Sequence, residues 1–173
     1  MTTIDRSVEL LKEHFGEAVH SVEVFRGDTT VTLTSESIVE ACQFLHDHAE
    51  LQYDFLALLT AVDYLPQEPR FCVVYRLYST GNNVFLGLAV PVSGDTASLP
   101  SVESVYPNAN WHEREVFDMF GIDFQGSHDM RRILMPTDWE GHPLRKDYPL
   151  GYEEVMFTFN FDEIDRRKPY AKE

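Results

Sequence analysis

The chain has 173 residues, 43% hydrophobic and 25% charged, with a formal net charge of −15. That length suits one domain with a good-sized core. The acidity argues against direct binding to nucleic acid or anionic lipid. The excess sits mainly in residues 1–110, where 15 acidic face 5 basic side chains, against 14 and 9 in residues 111–173.

No apolar run reaches the roughly 18–20 residues that cross a bilayer. The opening MTTIDRSVEL has neither a basic nor an apolar leader region, so no signal peptide is expected. Cys42 and Cys72 are far apart in apolar surroundings, read as buried free thiols in a reducing compartment.

Along the chain, Val8, Leu11 and Phe15 fall at helical spacing over residues 5–15, with Gly16 as the stop. Val19 to Arg26 and Thr30 to Thr34 alternate apolar and polar around Gly27-Asp28, which predicts a hairpin. Ser37 and Glu40 have capping-box spacing and open an amphipathic helix over Ile38 to His48. The dense apolar run Phe55 to Val62 reads as a buried strand or short helix. Arg70 to Tyr78 and Val84 to Val92 read as a second hairpin turning at Gly81-Asn82-Asn83. Residues 96–106 and 111–120 are predicted as two helices broken at Pro107-Asn108. From Gly121 onward glycine and proline permit only turns and extended pieces. Val155 to Phe161 alternates once more, and Asp162 to Glu173 is nearly all polar, an arm suited to docking on a partner.

This order predicts an α+β single domain with a mainly antiparallel (mixed) sheet and helices on one face, followed by a turn-rich charged segment and an extended C-terminal arm. The expected divisions are a core over 1–110, a charged segment over 111–150 packed on it, and a C-terminal strand and arm over 151–173.

Several chemistries lack a seat. Neither GxxxxGK[ST] nor GxGxxG is found, two cysteines cannot ligate an iron–sulfur cluster, and no GxSxG elbow exists. His112 and Glu115, at i, i+3 on the last helix, have a spacing that di-metal carboxylate sites use, and His128-Asp129 or His142 could join them; yet nothing completes HExxH. Hydrogen bonding within a charged interface is the plainer reading of these residues. Paired carboxylates also suit general acid–base catalysis, but no nucleophile accompanies Glu113 and Glu115.

The region from Trp111 to Leu150 holds eight acidic and five basic residues among many aromatic and aliphatic ones. Val116, Met119 and Phe120 form an apolar stripe, and Arg114 and Asp118, at i, i+4, are expected to pair. Glu113 and Glu115 are expected to need the cations Arg131, Arg132, Arg145 and Lys146. Arg and aromatics mixed in this way are what protein interfaces enrich, so His112, Asp138, Trp139 and Asp147 join the candidate interface, and Tyr170 is the expected anchor of the arm.

Glu113 to Ile122 (EREVFDMFGI) and Arg131 to Pro149 (RRILMPTDWEGHPLRKDYP) resemble the signature of the respiratory complex I 30 kDa subunit family, known in bacteria as the C subunit of NADH-quinone oxidoreductase. The resemblance covers Trp111 to Pro149 closely and runs more loosely to Arg167-Lys168-Pro169-Tyr170. One departure is Gly126-Ser127-His128-Asp129, where the family often has G-H-P-[DN]. The resemblance implies a non-redox structural subunit in the peripheral arm of a proton-translocating NADH:quinone oxidoreductase, on the cytoplasmic side of the cell membrane. It implies no catalytic residue, cofactor or metal in this chain. FMN, iron–sulfur clusters and quinone would lie elsewhere in the complex, with the 49 kDa-type quinone-site subunit as chief partner. The alternatives are a homologous subunit of a membrane-bound hydrogenase or F420H2 dehydrogenase complex, and a stand-alone metal-dependent hydrolase using His112, Glu115 and His128.

Overall fold

The computed structural model describes residues 2–94 and 97–149. Helix α1 (Thr3–Phe15) is opened by a capping box that periodicity alone does not announce: Thr2 accepts from the Asp5 amide at 3.1 Å, and the Asp5 carboxylate accepts from the Thr2 amide at 2.9 Å. Gly16 ends it at φ 51°, as expected. Strands β1 (Val19–Phe25) and β2 (Asp28–Leu33) form the first hairpin, turning at Arg26 and Gly27, both with positive φ.

Helix α2 (Ile38–Asp47) begins where expected, but its capping box does not form. Ser37 is turned back onto the Thr34 carbonyl and hydroxyl within a short 3-10 turn, so its oxygen is not aimed at the helix amides. The Phe55 run is a strand, β3 (Phe55–Asp63), and β4 (Phe71–Ser79) and β5 (Val84–Val92) form the second hairpin.

The sheet order is β1-β2-β5-β4-β3. All pairings are antiparallel except β2 with β5, which is parallel, because α2 carries the chain to the far edge before β3, β4 and β5 return. Gly87 permits that central contact: a Cβ there would stand 2.7 Å from the Thr30 hydroxyl. The mixed α+β architecture is thus the expected one.

One face of the sheet carries the core. Val31, Leu33, Val73, Tyr75, Leu77, Leu86 and Leu88 are fully buried and cluster with Leu11 of α1, Ala41 and Leu45 of α2, and Val116 and Phe120 of helix α3 (Ala109–Phe120). The open-face residues Leu58, Val62, Cys72, Val74 and Phe85 lie outside that cluster.

The helix expected over 96–106 is not there. Ser98–Pro100 is a short strand, β6, paired in parallel with β7 (Asp123–Gln125) in a separate two-stranded sheet, and the chain then turns at Val102, whose carbonyl accepts from the Val105 and Tyr106 amides. Pro100 brings no amide to a helix, and the β7 backbone and a buried carboxylate take the polar groups a helix would use internally.

Candidate docking site

Helix α3 organises the charged segment along one stripe. Asn110, Arg114 and Asp118 are spaced i, i+4, i+8, so they stack on one side of the helix. Each grips the returning chain in order. Asn110 donates to the Asp129 carbonyl at 3.1 Å. Arg114 donates to the carbonyls of Arg131 at 2.9 Å and Arg132 at 3.3 Å. Asp118, fully buried, accepts the amides of Ile133, Leu134 and Met135 at 3.0, 2.7 and 2.8 Å, and the Arg132 guanidinium at 2.6 Å. Burial pushes the Asp118 carboxyl up, but the Met135 amide, the Arg132 guanidinium and the Leu134 and Ile133 amides hold it below the ordinary carboxylate range. The expected Arg114–Asp118 pair does not form, because both side chains are taken by the chain between 129 and 135.

The next stretch of chain closes the C-terminal end of α3, whose last carbonyls have no helical partner. His142 Nδ1 lies 3.0 Å from the Asp118 carbonyl, the Leu144 amide donates to Met119 at 3.0 Å, and Arg145 Nε donates to Phe120. Gly121 follows in the left-handed region, φ 72°, and a Cβ there would stand 2.5 Å from the His142 ring.

The acids are not answered as the sequence suggested. Glu113 meets no cation. It is fully buried on the opposite side of α3, where it accepts from the Ser101 hydroxyl at 2.7 Å and the Val102 amide at 2.9 Å, and burial raises its pKa. Glu115 is exposed, so the two carboxylates do not converge as an acid–base pair would. Arg131 instead pairs with Asp129, at 2.7 Å.

A second clamp fastens the end of the signature to the sheet. Arg70, at the mouth of β4, grips Asp63 of β3 through two nitrogens at 3.1 and 3.0 Å and Asp147 at 3.1 and 2.7 Å. Asp63 also accepts the Lys146 amide at 2.8 Å and the Leu65 amide at 2.9 Å. Burial opposes ionisation of Asp63, yet Arg70 and these amides draw its pKa down to about 2. Asp63 and Arg70 were not among the residues singled out from sequence. The available signal was an arginine standing between Pro69 and the apolar strand, where a charge needs a partner.

Of the remaining candidates, His112 and Trp139 are half-buried and Asp138 is exposed; Tyr170, the Val155–Phe161 strand and the arm lie outside the described residues. His128 is bonded to Glu103 and does not join His112 and Glu115 in a ligand set. Among the described residues no group of three or more His, Cys, Asp or Glu is arranged to hold a metal ion, and no helix is long and apolar enough to cross a membrane. With so many polar groups of the segment satisfied internally, apolar side chains are left outward: Trp111 (61% exposed), Leu134 (60%), Leu144 (55%) and Ile133 (36%), beside the exposed Arg131. Arg114 stacks 5.1 Å above the Trp111 ring and holds it in place. Exposed apolar side chains beside fixed arginines are suited to binding protein.

Residues 31–154 match the family model described as the respiratory-chain NADH dehydrogenase 30 kDa subunit. The NADH-quinone oxidoreductase C subunit of Roseiflexus sp. (strain RS-1) is 52% identical over 166 residues, covering 96% of this chain and 95% of the relative. Its counterpart from Geobacter sulfurreducens is 49% identical, covering 87% and 92%. Among solved structures, a trypsin-resistant fragment (1–134) of Nqo5 superposes with a TM-score of 0.63 at 31% identity, covering 74% of this chain and 99% of the fragment. A chain of the membrane-bound sulfane sulfur reductase, an archaeal respiratory membrane complex, gives a TM-score of 0.69 at 21% identity, a likeness of fold.

Proposed function

The chain belongs to the respiratory-chain NADH dehydrogenase 30 kDa subunit family, and from that premise we propose that it is a structural subunit of a proton-translocating NADH:quinone oxidoreductase, docking through its charged segment on the 49 kDa-type subunit that helps form the quinone site. Membership of a multi-subunit respiratory complex follows from relatives of nearly equal length that bear the name of an NADH-quinone oxidoreductase subunit. The position in the peripheral arm on the cytoplasmic side, and FMN, clusters and quinone lying in other subunits, are parts of the proposal.

The observation that carries it is the internal saturation of the segment. The grip of α3 on residues 129–135 and the clamp of Arg70 on Asp147 turn a glycine- and proline-rich stretch into a fixed platform for Trp111, Ile133, Leu134 and Leu144. A preformed surface binds with less ordering cost than a mobile loop. The arm over Asp162–Glu173, with Tyr170, extends the same docking role. A fragment of Nqo5 resistant to trypsin accounts for only 74% of this chain, which supports a core that stands without its C-terminal stretch.

The test is Leu134→Asp combined with Trp111→Asp. Both side chains are exposed, so the melting temperature of the isolated chain should hold, while the amount of assembled complex recovered with a tagged 49 kDa-type subunit should fall. Each complex that does form should reduce quinone at the normal rate. Full recovery of a complex that no longer reduces quinone would overturn the structural reading in favour of a catalytic one.

A further inference from the structure

We infer that the face of the sheet turned away from the helices is a second docking surface, shaped for one amphipathic helix of another subunit. This rests on the proposed membership of a complex.

The face is laid out in rows across the strands. Thr60, Val74, Ala89 and Thr32 stand side by side through the register of β3, β4, β5 and β2, and the adjacent row runs Leu58, Arg76, Gly87, Thr30 and Glu23. The middle of the floor is therefore small or β-branched, without a long side chain standing up from it. Together with Tyr64 and Pro91 it forms a groove of about 420 Å³. The ends are aromatic: Tyr78 and Phe85, with ring centroids 4.5 Å apart, close one, and Tyr64, 43% exposed, closes the other. Leu58 and Val62 line the β3 side at 45% and 37% exposure. A contiguous apolar floor of this kind, held outside the core, marks an interaction surface.

The occupant is constrained by its own backbone. A sheet face offers side chains and no free amides or carbonyls, so whatever lies there must satisfy its backbone internally, as a helix does. Added strands need a sheet edge instead. The distance from Cys72 to Tyr78, six residue steps, is roughly 20 Å. That length holds a helix of about 13 residues, and four strands at about 4.8 Å spacing leave room for its width of about 10 Å.

The helix comes from another chain. Among the described residues the large exposed hydrophobics fall on strands, loops and Trp111, and none on α1 or α2, so this chain has no free apolar helical stripe to offer a second copy. Two copies at −15 each would also repel. On the face itself Arg76 is paired with Asp28, and Glu68 accepts the Arg70 amide, while Glu23 has no ion pair among the described residues. The complementary helix therefore carries an apolar stripe bordered by a lysine or arginine at the β1 side.

Cys72 lines this groove, whereas Cys42 is fully buried in the core, so thiol labelling reads the face directly. N-ethylmaleimide should modify Cys72 in the isolated chain and react at least about tenfold more slowly in the detergent-solubilised assembled complex. Because burial raises the Cys72 pKa and slows its reaction, Thr32→Cys provides a second, more open reporter on the same floor. Carbodiimide coupling in the complex should then join Glu23 to a lysine on a helix of another subunit. Equal labelling of both reporters in the isolated and assembled states would overturn the inference while leaving the proposed function standing. Coupling of Glu23 to a second copy of this chain, or to its own C-terminal residues, would overturn the occupant. Absence of the chain from any complex would remove the proposed function first, and this inference with it.

Discussion

Asp118 and Arg132 meet at 2.6 Å across the gap between α3 and the returning chain, and the same carboxylate takes three consecutive amides on its other oxygen. An acid with no exposed surface that receives one guanidinium and three N–H groups acts as the pin of the whole segment. Its partners all lie within four residues, so one side chain fixes the local path of the chain.

Asp118→Ala should accordingly be among the most damaging single changes. It strands Arg132 and three amides together, and breaking a buried pair of this kind costs about 3–5 kcal/mol. Chemical denaturation of the isolated chain should show a lowered midpoint with little change in slope. Glu115→Ala, on the exposed side of the same helix, should change stability by less than about 0.5 kcal/mol.

Gly121 and Gly126 separate two effects that are usually mixed. Both have positive φ, 72° and 87°, but a Cβ at Gly121 strikes the His142 ring whereas one at Gly126 meets nothing within 4 Å. Gly126→Ala should cost about 1–2 kcal/mol of backbone strain. Gly121→Ala should cost clearly more, because His142 and Arg145 must leave the end of α3. Thermal melts of the two variants side by side give the difference.

Much of this was legible in the sequence. Both hairpins, all three long helices and the mixed sheet follow from periodicity and turn residues. The helix expected over 96–106 misled because Leu99, Val102, Val105 and Tyr106 are all buried, as the face of a helix would be; here the spacing comes from a short strand followed by a turn. The Arg114–Asp118 pair misled because helical spacing shows which side chains are neighbours and not what else competes for them. Asp63 and Arg70 went unmarked because their partners Lys146 and Asp147 lie 83 and 77 residues away. A local window shows such a charge and not what answers it.

Glu113 and the buried aspartates should set opposite limits on stability with pH. The Glu113 pKa is raised in the fold, so its contribution is fully present below the unfolded value, near 4.5, and is lost as pH rises through the folded value. Asp63 is lowered from 3.8 to about 2, so its contribution is present above 3.8 and lost as pH falls toward 2. Glu113→Gln keeps an acceptor for Val102 and a donor for Ser101. The melting temperature of this variant should lose the decline that the parent shows from pH 5 upward and keep the acid limb. An unchanged decline would show that Glu113 is not its source.

Arg70 and Asp147 test how the signature is tied to the sheet. The Arg70 side chain is 5% exposed and Asp63 is 3%, while Asp147 is 50% exposed. Arg70→Ala leaves Asp63 buried without its bidentate partner, at a cost of about 3–5 kcal/mol. Asp147→Asn removes a charge that water largely screens, at about 1 kcal/mol or less. The two should nevertheless share one local effect, because the clamp holds residues 146 and 147 against the β3–β4 mouth. Hydrogen exchange at the Lys146 amide, which donates to Asp63, should quicken in both variants, strongly for Arg70→Ala and modestly for Asp147→Asn. Unchanged exchange at that amide in Arg70→Ala would mean that the grip of α3 alone holds the segment in place.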